Sequence, residues 1–305
     1  MADLGPNCNS VHLPVLNGRL SARRRLHGMP LVITDPFPPG FFLGPLQIRF
    51  YGLAYAIAFI VGTAVATRHL ARKGVDPDLT GRIAFWTIIF GLVGARLYYD
   101  VQSGWWFYLT HPQHILAFWE GGMAFFGAIF ASLIVLVVMA RRHHISFWDV
   151  LDAGVLFAAV GQPIGRLGNV MNGEILGPPS NLPWAIRYTN PASMAPHLGV
   201  AYTPANLYEA VGVLLILGVL LYLRRRGVPS GVLGLTYLVL YPVSQLILFE
   251  WRTDYETPVL LWGLKQAQLT SVVMLLTIVP IFFLLWLRSR PKGEVGVTSE
   301  GMIRA

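Results

Sequence analysis

Apolar residues in this chain come in long runs, not in alternation and not at helical spacing. A helix crossing a ~30 Å hydrocarbon core needs about 20 mostly apolar residues. Seven runs come near that length: Ile48–Ala66, Ile83–Tyr99, Met123–Ala140, Val150–Leu167, Leu207–Leu223, Val232–Phe249 and Leu269–Leu287. Pro163 weakens the fourth. Backbone polar groups in hydrocarbon must be satisfied within their own segment, which leaves helices as the natural reading of such runs. The pattern predicts an all-α integral membrane protein of about seven transmembrane helices.

The polar positions between the runs set an orientation. Basic clusters follow the first, third, fifth and seventh runs: Arg68, Arg72 and Lys73; Arg141 and Arg142; Arg224, Arg225 and Arg226; Arg288, Arg290 and Lys292. With seven spans all of these fall on one side, which the positive-inside rule makes cytoplasmic. The N-terminus is then outside and the C-terminus inside. The long outer loop, about 169–206, carries several prolines and Trp184. Arg23, Arg24 and Arg25 disagree with this scheme, and residues 1–28 lack the apolar core of a signal peptide. The expectation is that 1–28 is an extension, either untranslated with Met29 as the true start or disordered. Residues 29–290 then form the membrane domain and 291–305 a short cytoplasmic tail.

Composition narrows the class. Of 305 residues, 54% are hydrophobic and 12% charged, against about 25% charged in soluble domains. There is no sign of a soluble catalytic domain. The net charge of +8 comes from short clusters between apolar runs, which points to anionic lipid and away from nucleic acid. Cys8 is the single cysteine, so neither a disulfide framework nor a cysteine metal site is expected.

The chemistry concentrates in Gly165-Arg166-Leu167-Gly168-Asn169-Val170-Met171-Asn172-Gly173-Glu174. It places an arginine, two asparagines and a glutamate at the end of a membrane-spanning run. An ionisable group there is expensive unless it pairs or faces a wet cavity, and it marks a functional site by default. Arg166 offers a planar fork of donors suited to a phosphate, and Asn169 lies one turn on, on the same helix face.

Together with the following Ile175-Leu176-Gly177 and Leu182-Pro183-Trp184-Ala185-Ile186-Arg187-Tyr188, this stretch resembles the signature of the prolipoprotein diacylglyceryl transferase family. Further matching pieces are Tyr51-Gly52-Leu53, Gly94 to Tyr99, Trp119-Glu120-Gly121-Gly122-Met123 (the family's W-D-G-G-M), Asn206-Leu207-Tyr208-Glu209 (its Q-L-Y-E), Arg252-Thr253-Asp254 (its R-x-D) and Gln268. The resemblance runs from about Met29 to Arg290. It implies transfer of the diacylglyceryl unit of phosphatidylglycerol to the lipobox cysteine thiol of a preprolipoprotein, giving a thioether and glycerol 1-phosphate. It also implies a bacterial inner-membrane setting, with the site near the outer face.

That reaction requires attack of a thiolate on an sp³ carbon and stabilisation of a departing phosphate. The expected catalytic residues are Arg166, Asn169, Glu174 and Arg252. Tyr51, Arg96, Arg166, Asn172 and Gly177 are the expected phosphatidylglycerol contacts. The expected partners are phosphatidylglycerol, the lipobox segment and membrane lipid. No metal or organic cofactor is implied, because the leaving phosphate arrives with the lipid.

Three positions depart from the family pattern. Phe126 stands where the family has a histidine, Gln245 where it has an arginine seven residues before Arg252, and Thr203 where it has a second histidine. General-base help is worth about 10²–10⁴-fold, and a free thiol is already a few per cent ionised at pH 7. His111, His114 and His197 are substitute bases to consider. The competing reading is a catalytically impaired paralogue that binds phospholipid or lipoprotein segments. Plain structural readings stand beside several residues. Arg96 has Asp100 four residues on, a helical pair; Glu209 reads as a cap or ion-pair partner; Asp149 and Asp152 complement a helix start.

Overall fold

The computed structural model describes residues 32–44, 46–117, 123, 125–253 and 263–289. The extension 1–28, Met29, Trp119 to Gly122, Asp254 and the tail after Arg290 lie outside the described residues.

The order is β1 (Ile33–Asp35), β2 (Gly40–Leu43), β3 (Leu46–Arg49), α1 (Phe50–Ala71), α2 (Pro77–Thr110), α3 (Phe125–Arg142), α4 (Phe147–Asn172), β4 (Ile186–Tyr188), β5 (Ala201–Tyr202), α5 (Ala205–Arg225), α6 (Val232–Leu248), α7 (Gln266–Val273) and α8 (Val279–Ser289). A π-helical turn, Met274–Ile278, joins α7 to α8. Among the described residues every apolar run is helical over most of its length, so the chain is mostly helical and multi-pass. Six helices among the described residues are long and apolar enough to cross a membrane, and α3 holds the remaining run.

The differences from the sequence reading have local causes. Among the described residues five short strands accompany the helices. They are too short to show a period in the pattern, and they form only because distant segments meet. The first helix starts at Phe50, since Leu46–Arg49 pairs with Gly40–Leu43 in a hairpin. The second helix is longer than its apolar run at both ends. Asp76 caps it by accepting the Asp78 N–H at 3.1 Å, with Pro77 at the first position, a start signal worth about 1 kcal/mol. At its far end Gly104, with φ of +132°, breaks the helix before an aromatic extension.

Helix α4 is the axis of the fold. In its membrane window 56% of residues are buried, against at most 33% in any other. It packs on α5 and α6 through Leu151, Val155, Leu156, Ala159, Val213, Ile216, Leu220 and Leu233. Helices α2 and α3 meet through small residues: a Cβ on Gly94 would collide with the Ala131 Cβ. Such close backbone approach is how membrane helices gain packing without a hydrophobic driving force.

The two ends of the bundle differ. At the sheet end, β1 pairs in parallel with β4, and β4 antiparallel with β5. Leu176, Ile186, Tyr188 and Tyr202 form a small core beneath this sheet. The Tyr188 hydroxyl donates to the Val170 carbonyl at 2.9 Å, pinning the sheet to the last turn of α4. Burial raises the Tyr188 phenol above its usual range, so it stays a neutral donor. At the opposite, basic end the turns after α1, α3 and α5 gather with the end of α8. Lys73 Nζ lies 3.4 Å from Asp149 and 3.1 Å from Ser230 Oγ, and Trp286 Nε1 donates to the Ser230 carbonyl at 2.8 Å.

Candidate active site

Helix α4 ends as its sequence directs. Gly173 adopts the left-handed conformation, φ +78°, and its N–H returns to the Asn169 carbonyl. Glycine is the usual residue for that cap because it carries no Cβ penalty. The chain then turns back, and the Glu174 N–H also bonds the Asn169 carbonyl at 3.0 Å. The turn folds the Glu174 side chain over the final helical turn, where its carboxylate accepts from Asn169 Nδ2 at 3.0 Å. Asn169 in turn accepts from Arg166 Nη1 at 3.3 Å. Three of the expected site residues thus form one chain of contacts.

Helix α5 supplies the opposite wall. Asn206 Nδ2 donates to the Glu174 carbonyl at 2.9 Å. Glu209, one turn further and 1% exposed, places Oε2 2.7 Å from Arg166 Nη2 and Oε1 3.7 Å from Arg252 Nη1. The Arg166 contact is a close ion pair, and the Arg252 contact is a longer, purely ionic approach. The arrangement is a buried ion triad: a carboxylate drawing two guanidinium groups together. The sequence reading gives Glu209 a capping or pairing role, and pairing is what the structure shows.

Arg252 reaches the triad because the turn Phe249–Trp251 is held from several sides. Its guanidinium lies over the Phe249 ring at 4.7 Å. Lys265 Nζ donates to the Phe249 carbonyl at 2.9 Å and also to the Arg252 carbonyl. Gln268 Nε2 donates to Glu250 Oε1 at 2.6 Å. Gly177 is part of the same brace. Its N–H bonds the Thr203 carbonyl at 2.8 Å, and a Cβ there would stand 2.5 Å from the Trp251 carbonyl oxygen. The structure therefore places Gly177 at a packing contact behind Arg252. Lys265 is absent from the sequence-derived set. Its one signal is a lysine directly before the last span, on the side the positive-inside rule disfavours.

Tyr51 stands on α1 opposite the signature. A Cβ at Gly168 would lie 3.2 Å from the Tyr51 Cα, so the glycine lets α1 and α4 close on each other at the site. Tyr51 rests against Tyr55, ring centroids 4.7 Å apart. Asn172 accepts from Arg49 Nη1 at 3.2 Å and holds the 194 loop through Met194. On α6, Tyr237 stacks on Tyr241 at 5.3 Å and donates to Gln162 Oε1 at 2.8 Å. Gln245, 5% exposed, continues this stripe one turn on toward Arg252. These tyrosines and Gln162 escape a sequence reading, because a tyrosine within an apolar run reads as belt or core.

Arg96 lies near the end of the membrane-spanning part of α2. It is 1% exposed, lies 3.3 Å from Asp100 Oδ1, and donates to the carbonyls of Ile115 and His114 at 3.2 and 2.7 Å. These contacts tie the end of α2 to the following turn. His111 stacks on Phe107 at 4.6 Å, and the exposed His197 is held by its backbone N–H on Tyr202. Phe126 lies in the first turn of α3. Among the described residues no cluster of three or more His, Cys, Asp or Glu is arranged to hold a metal ion.

The assembled site can bind an anion. Arg166 has five N–H donors and commits its two terminal nitrogens to Asn169 and Glu209, so donors remain for a phosphate. A second guanidinium stands across the same carboxylate.

The family model for prolipoprotein diacylglyceryl transferase matches residues 38–286. The phosphatidylglycerol–prolipoprotein diacylglyceryl transferase of Synechococcus elongatus is 35% identical over 252 residues, covering 80% of this chain and 86% of that protein. Proteins of the same name from Trichormus variabilis and a Nostoc species are each 32% identical, covering 88% of this chain and 96% and 95% of theirs.

Proposed function

The chain belongs to the prolipoprotein diacylglyceryl transferase family, and on that premise we propose that it transfers the diacylglyceryl group of phosphatidylglycerol to the lipobox cysteine thiol of preprolipoproteins. The cysteine thiolate attacks the diacylglyceryl CH₂ carbon. A C–S bond forms, the C–O bond to phosphate breaks, and glycerol 1-phosphate leaves with the bonding pair. The thiol proton passes to solvent or to the departing phosphate.

The observation that carries this reading is the convergence of Arg166 and Arg252 on Glu209 at 2.7 and 3.7 Å, beside the Asn169–Glu174 contact. Arg166 holds the phosphate oxygens through its free donors. As negative charge grows on the leaving group, both guanidiniums gain interaction energy, which is the condition for lowering a barrier. Asn169 and Glu174 keep Arg166 in place, and Glu174 offers acceptor oxygen to the glycerol hydroxyls. The paired guanidiniums also favour the thiolate form of an approaching cysteine, so the chemistry does not depend on a histidine at position 126.

The site lies at the sheet end, opposite the basic clusters. With those clusters cytoplasmic, the chain has seven spans in a bacterial inner membrane, its N-terminus outside and its site near the outer face. Residues 29–290 form that domain.

The test is incorporation of a phosphatidylglycerol-derived diacylglyceryl group into a synthetic lipobox peptide, read by mass spectrometry, with Arg166→Ala as control. Modification that disappears in the control is the expected result. Gln245 in place of the family arginine motivates a second reading, a lipid-binding paralogue. Phosphatidylglycerol binding without turnover, beside an active relative assayed in parallel, would establish it instead.

A further inference from the structure

The basic end of the bundle carries a groove that the transfer chemistry does not use. It has a volume of about 760 Å³ and lies between the last turn of α3, the following turn, the start of α4 and α8. Val137, Ile145, Phe147, Phe282 and Leu285 form apolar walls, and Arg141 and His144 stand at the mouth. The Phe147 and Phe282 walls pack on each other at a centroid distance of 6.1 Å, and Trp148 behind them packs on both at 5.5 and 6.1 Å.

The mouth is built by a helix cap. The Ile145 N–H bonds the Ala140 carbonyl at 2.9 Å and the His144 N–H bonds the Arg141 carbonyl at 3.3 Å. This pairing is that of a Schellman motif, whose left-handed position normally goes to glycine. Here His144 occupies it with φ of +54°. The result is an exposed run, Arg141-Arg142-His143-His144, of which Arg141 and His144 line the groove. Among the described residues no carboxylate lines the groove. The neighbouring ones are engaged elsewhere: Asp149 with Ser230 and Lys73, and Asp152 with the N–H groups of Gly231 and Gly234.

An aromatic-walled apolar groove under a cationic rim, with no carboxylate among its described lining residues, matches an amphiphile with an anionic head. We propose that this groove binds one anionic glycerophospholipid of the basic-end leaflet, its phosphate at Arg141 and an acyl chain along Phe282 and Leu285. Phe147 and Arg166 are separated along α4 by roughly 28 Å at 1.5 Å per residue. The groove therefore faces the other leaflet and is separate from the substrate lipid. A lipid seated there bridges α3 and α8 beside the start of α4.

The experiment uses the full chain in detergent with the Arg166→Ala substitution, which weakens lipid binding at the sheet end. After exchange into equimolar phosphatidylglycerol and phosphatidylcholine, native mass spectrometry counts the retained lipid. The expected result is preferential retention of one phosphatidylglycerol. Arg141→Gln lowers that retention about five-fold, as expected for one basic residue near an anionic head group. Leu285→Trp fills the groove, leaves the rim charge intact and removes the retained lipid. Equal retention of the two lipids, or retention unchanged in the variants, overturns the proposal. Monodisperse elution and an unchanged helical signal verify folding, and if Arg141→Gln does not fold, Leu285→Trp decides alone. Because the readout is lipid retention, its outcome is separate from that of the transfer assay.

Discussion

Asp152, near the start of α4, is 2% exposed and accepts the backbone N–H groups of Gly231 and Gly234 at 2.8 and 2.7 Å. Glu209, beside the far end of the same helix, is 1% exposed and faces Arg166 and Arg252 at 2.7 and 3.7 Å. Both are buried carboxylates in a chain poor in charge. Asp152 is satisfied by backbone groups at the start of α6, which cannot leave without unfolding it. Glu209 is satisfied by side chains that have more donors than one carboxylate uses. A phosphate can share those arginines, whereas nothing can share the N–H groups of Gly231 and Gly234. The comparison teaches that burial of charge does not itself mark a site. The mark is the kind of partner: fixed backbone donors make a structural knot, and multi-donor side chains make a place for a ligand.

The comparison breaks most directly at Arg166. Arg166→Ala is expected to lower the initial rate of peptide modification about 10²–10³-fold, the loss seen when one stabiliser of developing charge is removed, with little change in thermal unfolding. At the other end, Asp152→Ala leaves two buried N–H groups without acceptors. It is expected to cost roughly 3 kcal/mol of stability, read as a lower unfolding temperature in detergent, while the rate per folded molecule stays the same. An equal loss of rate in Asp152→Ala would erase the distinction between the two ends.

Glu209→Gln keeps the shape and removes the charge that draws the arginines together. Misplaced arginines are expected to slow transfer about 10- to 100-fold, measured as kcat at saturating lipid. Gly177→Ala tests the brace behind Arg252. Its Cβ would meet the Trp251 carbonyl oxygen at 2.5 Å, so the turn must shift, at a cost of about 1–3 kcal/mol and with a slower rate; an unchanged rate would show that Arg252 is seated by other contacts. The smallest effect is expected at the basic end. His144→Gly relieves a left-handed non-glycine residue, φ +54°, and should raise stability by about 1 kcal/mol in an unfolding assay, without altering transfer.

Much of the fold is legible in the pattern of apolar runs, because a membrane helix satisfies its own backbone and need only be long and apolar. The signature also shows the core of the site. Arg166, Asn169 and Glu174 lie within one turn and its cap, so local geometry brings them together. Tyr51 comes from α1 and Arg252 from the turn after α6, and only their motifs pointed to them. For Arg96 the helical pair with Asp100 was legible in the i, i+4 spacing, whereas its bonds to the turn after α2 were not. The close approach of Gly177 to the Trp251 carbonyl was likewise not legible, because the two are far apart in the chain.

What the amino-acid sequence determined by itself was the class of protein, the helical runs, the clustering of basic residues between alternate runs and the family, all of which depend on hydrophobicity and short-range order. What only the tertiary structure decided was which charges meet. Glu209 lies 43 positions from both Arg166 and Arg252, and no local pattern encodes that pairing. It arises because α4, α5 and the turn after α6 are packed at one end, and because a charge held in a low-dielectric bundle must find a partner or be left at a cost of several kcal/mol.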